Sequence, residues 1–166
     1  MNDFTSAQII YENLINRYPE HPQQYVAVLA QADCLLAQAR DDADKLVTAS
    51  RLYERLMDLT GLPVDYQAEV ACKWAFILEK RGLLERAESV RTLAVARLLL
   101  EQENALRLGE PGRYWMARAL LDLGSRLESR GDSAEARRVY RKILAYNLPG
   151  QNLARQRSDR IEVPGE

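Results

Sequence analysis

Histidine occurs once and cysteine twice in the 166 residues. The lone histidine, His21, stands between Glu20 and Pro22 in a turn. It has no His-x-x-x-His or Cys-x-x-Cys partner, so it reads as an exposed loop residue rather than a metal ligand or a catalytic base. Cys34 and Cys72 lie too far apart for a redox or zinc pair and read as buried or half-buried free thiols, which suits a reducing compartment. No stretch approaches the roughly 20 apolar residues that a membrane span needs, and the first residues lack the basic-then-apolar order of an export signal. The expected place is the cytoplasm, or an exported origin if these residues are part of a longer exported protein.

Phosphate-binding and catalytic patterns are missing as well. Gly109-Glu110-Pro111-Gly112 is a turn without the lysine and serine or threonine that complete a phosphate loop. Asp41, Asp42 and Asp44 lack the glycine and terminal glutamate of a calcium loop, and helix capping accounts for them. Glu101 and Glu103 fall on a solvated helix face. The expectation is a chain that is not an enzyme and carries no cofactor and no metal.

β-Branched residues are sparse beside Ala, Leu, Glu, Arg and Gln, and internal glycines and prolines fall between periodic stretches, Gly124 apart. An all-helical fold follows. Apolar spacing and breakers predict seven helices, over about 5–17, 22–40, 43–60, 65–81, 84–108, 114–130 and 134–146. The expected domain covers 1–149, and 150–166 reads as a polar, weakly ordered C-terminal tail.

The formal net charge is −1, which argues against a generally polyanion-binding surface. Its halves differ: Met1 to Gly112 carries 12 basic and 17 acidic residues, and Arg113 to Glu166 carries 11 basic and 7 acidic. Solvated arginines on helix faces explain this asymmetry, and an acidic partner drawn to one end is the other reading.

The most informative run is Leu120-x-x-Leu123-Gly124-x-x-Leu127, then Gly131-Asp132, then Ala136-x-x-x-Tyr140-x-x-Ile143 and Pro149. A glycine inside a leucine-rich helix costs about 1 kcal/mol relative to alanine, so Gly124 marks a place where a second helix comes close. Ala75, Gly82 and Ala87 repeat Gly124, Gly131 and Ala136 at an offset of 49 residues. Ala37 and Ala49, with Tyr53 and Leu56, form a looser copy, and Ala7, Tyr11, Leu14 and Pro19 supply half of one. The pattern resembles the tetratricopeptide repeat, a helix-turn-helix unit that buries its apolar stripe only by stacking on its neighbours. The second-helix alanines stand 42, 38 and 49 residues apart, all above the family period of 34. The resemblance therefore implies an irregular right-handed stack of antiparallel helical hairpins, about three and a half units long. Ala37, Ala49, Ala75, Ala87, Gly124, Ala136 and Tyr140 would be its packing signature.

The resemblance further implies a concave surface lined by the first helix of each unit, where a protein or peptide segment binds. Spacing of three and four places Cys34, Gln38 and Asp41 on that face, then Cys72, Phe76 and Glu79, then Leu121, Ser125 and Glu128, with Lys73 and Arg118 at the edge. Core packing of Cys72, Phe76 and Leu121 is the competing assignment. A section of a longer repeat protein of a cell-envelope assembly, or a homo-oligomer formed through the half unit at Ile9, Ile10 and Leu14, is a second expectation. The most distant is a nucleic-acid contact through Arg137, Arg138, Arg141, Lys142, Arg155, Arg157 and Arg160, with Tyr140 or Tyr146 stacking.

Overall fold

The computed structural model describes residues 3–40, 42–100 and 107–161, with the backbone alone over 94–100. Asp41, residues 101–106 of the expected fifth helix, with Glu101 and Glu103 among them, and residues 162–166 lie outside the described residues. The fold is all-α. Eight helices are present among the described residues, and no strand: α1 Phe4–Arg17, α2 Gln24–Gln38, α3 Ala43–Met57, α4 Val64–Lys80, α5 Leu84–Leu100, α6 Glu110–Ser129, α7 Ser133–Ala145 and α8 Gln151–Arg160. They fall into two compact units, one formed by Met1–Pro63 with Lys73–Ala87 and the other by Val64–Cys72 with Glu88–Glu166.

In the first unit α2 packs against both α1 and α3. The α3 helix starts at Asp42, whose carboxylate accepts from the Asp44 and Lys45 backbone N–H groups and so satisfies two of the donors a helix leaves open. Ala49, Tyr53 and Leu56 then follow at spacings of four and three and are all buried. Opposite them α2 buries Val28, Leu29, Ala32 and Leu35. Ala37, the expected close-packing residue, is exposed, whereas Ala32 is fully buried. Five residues along a helix turn the side chain by about 140°, so the small contact site lies a turn and a half earlier than the motif spacing implies.

The α1 helix joins this unit differently, for it buries no residue. Ala7, Tyr11 and Ile15 are half-buried, and the Gln38 amide ties α1 down by donating to Phe4 O at 3.2 Å and to Gln8 Oε1 at 3.0 Å.

In the second unit α7 packs against both α6 and α8. The α6 helix begins four residues earlier than expected, at Glu110, because Pro111 in a first turn forfeits an N–H that had no partner there anyway. Gly124 faces α7 directly: a Cβ there would lie 2.6 Å from Tyr140 Cζ. The turn into α7 places Gly131 at φ +84°, with Gly131 N–H donating to Glu128 O and Asp132 N–H to Leu127 O. Leu78, Glu79, Gly82 and Leu83 make the same pair of bonds 49 residues earlier, with Gly82 at φ +75°. The sequence offset is thus a repeated C-terminal cap, in which a left-handed glycine lets two orphan carbonyls be satisfied.

The expected weakly ordered tail is a helix over Gln151–Arg160. Its composition is almost wholly polar, which hides the period, yet Ala154 and Ser158 sit one turn apart and are both buried. No helix of the described residues is long and apolar enough to cross a membrane.

Candidate protein-binding surface

The α6 helix presents Tyr114, Arg118, Leu121 and Ser125 at spacings of four, three and four, which is one helical stripe. The start of α8 lies alongside: Gly150 takes φ +84° at its N-cap, and a Cβ added there would lie 3.4 Å from Leu121 Cδ1. Between them runs a groove of about 380 Å³, floored by Ala117, Leu121 and Leu153 and edged by Arg118, Asp122 and Arg157. Arg118, Leu121 and Ser125 of the sequence candidates meet here.

The other candidates have different surroundings. Cys72 is buried in the second unit, where its thiol donates to the Trp115 carbonyl at 3.4 Å. Burial first, and then the charge of Asp122, push its pKa up to about 12. Such a thiol stays protonated and unreactive. Cys34 is also buried, and desolvation with Asp33 beside it raises its pKa too. Phe76, in the first unit, is 41% exposed with the Lys80 ammonium 5.0 Å from its ring centroid, and Glu79 is half-buried.

Lys73 and Glu128 belong to polar clusters that spacing alone does not disclose. In the first unit the Tyr53 hydroxyl donates to Asp33, and Lys73 Nζ lies 2.6 Å from the other oxygen of that carboxylate. In the second unit the Tyr140 hydroxyl donates to Glu128 at 2.8 Å, and Arg157 donates to Tyr140 Oη at 3.1 Å. Both clusters place a tyrosine on a carboxylate of the helix before it, and complete it with a cation from a later helix. Desolvation pushes the Tyr140 pKa up, whereas the hydrogen bond to Tyr140 raises that of Arg157.

Between them in sequence the places are exchanged. Arg91 follows Ala87 by four residues, as Tyr53 follows Ala49 and Tyr140 follows Ala136. Asp122 precedes Gly124 by two, as Lys73 precedes Ala75. Arg91 is 4% exposed and its Nε lies 4.0 Å from Asp122, so a buried guanidinium and a carboxylate take the sequence positions that Tyr53 and Lys73 hold in the first unit. The one available signal was Arg91 itself, a charged residue at a packing position.

No family model matches this chain, and neither a curated protein nor a solved structure is similar enough to match it. Among the described residues no three histidine, cysteine, aspartate or glutamate side chains are grouped to hold a metal ion. Exposed His21 instead accepts from the Gln23 backbone N–H at 3.1 Å. Tyr140 is fully buried and offers no face to a base, and Arg138 pairs with Glu135 at 3.1 Å.

Proposed function

We propose that this chain is a non-catalytic protein-protein interaction module built of degenerate tetratricopeptide-like units, holding a protein or peptide segment on the helical face along α6. The groove along α6 carries the reading: it joins Leu121 and Leu153 as an apolar floor to Arg118 and Ser125 as polar edges, which is the usual composition of a specific binding cleft. Support for the repeat assignment comes from Gly124 beneath the Tyr140 ring, the matching caps at Gly82 and Gly131, and the recurring tyrosine-carboxylate-cation clusters.

A Leu121→Asp substitution puts a charge on the apolar floor and should abolish capture of partners from the native cell extract while the helical signal shows that the variant folds, with a lower melting midpoint because half-buried Leu121 also packs on the core. Leu84→Asp, at a residue 57% exposed in the other unit, is the matched control and should capture normally. Capture that survives Leu121→Asp undiminished overturns the groove assignment.

A further inference from the structure

The α1 helix carries Phe4, Ile9, Ile10 and Leu14 at exposures of 37, 53, 58 and 42%, and none of its residues is buried. These side chains are not equivalent. At 100° per residue Ile10, Leu14 and Arg17 fall within about 60° of one another, with the N-cap Asp3 at the head of that face, whereas Ile9 points about 100° away from Ile10. One face of α1 therefore reads, from N- to C-terminus, as an acid, an apolar pair and a base. Past Leu14 the apolar surface continues into a groove of about 390 Å³ lined by Leu14, Tyr18 and Val26, with His21 at its rim.

The two charges stand symmetrically about the apolar centre. Asp3 lies seven residues before Ile10 and Arg17 seven after, two helical turns in each direction. Among the described residues neither side chain has a charged partner: Asp3 accepts from the backbone and hydroxyl of Ser6, and Arg17 rests 5.6 Å from the centroid of the Tyr18 ring. Hydrogen bonds from Ser6 hold the Asp3 carboxyl below the ordinary carboxylate range, so it is an anion at neutral pH.

We infer that this face docks on the same face of a second copy of the chain, α1 antiparallel to α1 about a two-fold axis at Ile10. In that arrangement Ile10 meets Ile10, Leu14 lies over the small residues Ser6 and Ala7, and each Arg17 reaches the partner's Asp3. The contact is isologous, so one complementary register supplies two ion pairs and closes the assembly at a dimer. Antiparallel helix dipoles also favour this orientation. A lone helix pair is small for an interface, so the apolar contacts provide a weak, concentration-dependent association and the charges select its register. This association stands independently of the α6 groove.

Sedimentation velocity over a series from about 1 µM to about 1 mM chain should show a reversible monomer-dimer equilibrium. Ile10→Asp should remove the dimer from this range, and Ile9→Asp should leave it. Arg17→Glu should weaken the dimer about tenfold, because two attractive pairs become repulsive. Mixing Arg17→Glu with Asp3→Lys should restore association as a heterodimer, since each chain then supplies the charge the other lacks. Ile10→Cys adds a readout that needs no equilibrium measurement: with both native thiols buried, air oxidation should cross-link it into a disulfide dimer much faster than Ile9→Cys. Circular dichroism confirms that each variant folds. A wild-type chain that stays monomeric throughout the series, a dimer that survives Ile10→Asp, or equal cross-linking at both cysteine positions overturns the inference.

Discussion

The first and last helices of the chain are attached to their units by opposite means. α1 has 14 residues and a run of large aliphatic side chains, yet buries none of them. α8 has ten residues and hardly an apolar side chain, yet buries Ala154 completely and Ser158 to 4% exposure. What separates them is which side chains meet the neighbouring helix. On α8 these are the small, buried Ala154 and Ser158, beside which Arg157 reaches Tyr140 and Glu128. Apolar content alone does not bury a helix. A face must also fit a neighbour, and α1 keeps its apolar stripe on the side away from α2.

Removing the side chain that links α8 to α7 is the strongest way to break this contrast. Tyr140→Ala empties a fully buried ring site and strips Arg157 of one of its two hydrogen-bond partners, so it should cost about 3–5 kcal/mol in urea or thermal unfolding. The same change at half-buried Tyr11 of α1 should cost about 1 kcal/mol. Comparable losses at the two tyrosines would show that α1 is as firmly held as α8.

Gly124→Ala sharpens the comparison by setting two effects of opposite sign against each other. Helix propensity favours alanine by about 1 kcal/mol. The added methyl, however, would sit 2.6 Å from Tyr140 Cζ, and moving a fully buried ring disturbs both α7 and the Arg157 contact to α8. Overpacking of this kind typically costs about 1–3 kcal/mol, so a net destabilisation of up to about 2 kcal/mol is expected from the melting midpoint. A stabilised variant would mean that the ring moves aside freely.

The same two helices mark where the sequence was legible. All-helical class, the turn glycines and the close contact at Gly124 could be read because breakers and small residues leave local signals that packing does not override. The helical state of 151–160 was hidden, since two small residues one turn apart make a weak period within a polar run. Ala37 was misplaced for a related reason: motif spacing fixes a residue's distance along the chain, whereas the turn between α2 and α3 decides which face it occupies. Of the groove candidates, Arg118, Leu121 and Ser125 come together because they share one helix stripe. Asp33 carried no signal, and Arg157 could be read only as one of the C-terminal arginines, because their partners come from distant helices and no periodicity connects them.

The smallest expected effect tests the exposed side of the comparison. Ile9→Ser replaces a side chain that is 53% exposed and lies off the Asp3-Ile10-Arg17 face, so both folding stability and association should stay within about 0.5 kcal/mol of wild type. Ile10→Ser, at a residue 58% exposed, should be equally neutral in dilute solution, where the chain is monomeric, and should lower stability only as concentration rises. Hydrogen exchange separates the two contributions. At low concentration the amides of α1 should exchange well before those of α8, because α1 rests on half-buried residues and the Gln38 hydrogen bonds, whereas α8 is anchored by buried Ala154 and by Arg157. Raising the concentration should slow exchange in α1 and leave α8 unchanged. Protection of α1 equal to that of α8 in the dilute monomer would mean that α1 is anchored within its own unit as firmly as the last helix is in the other.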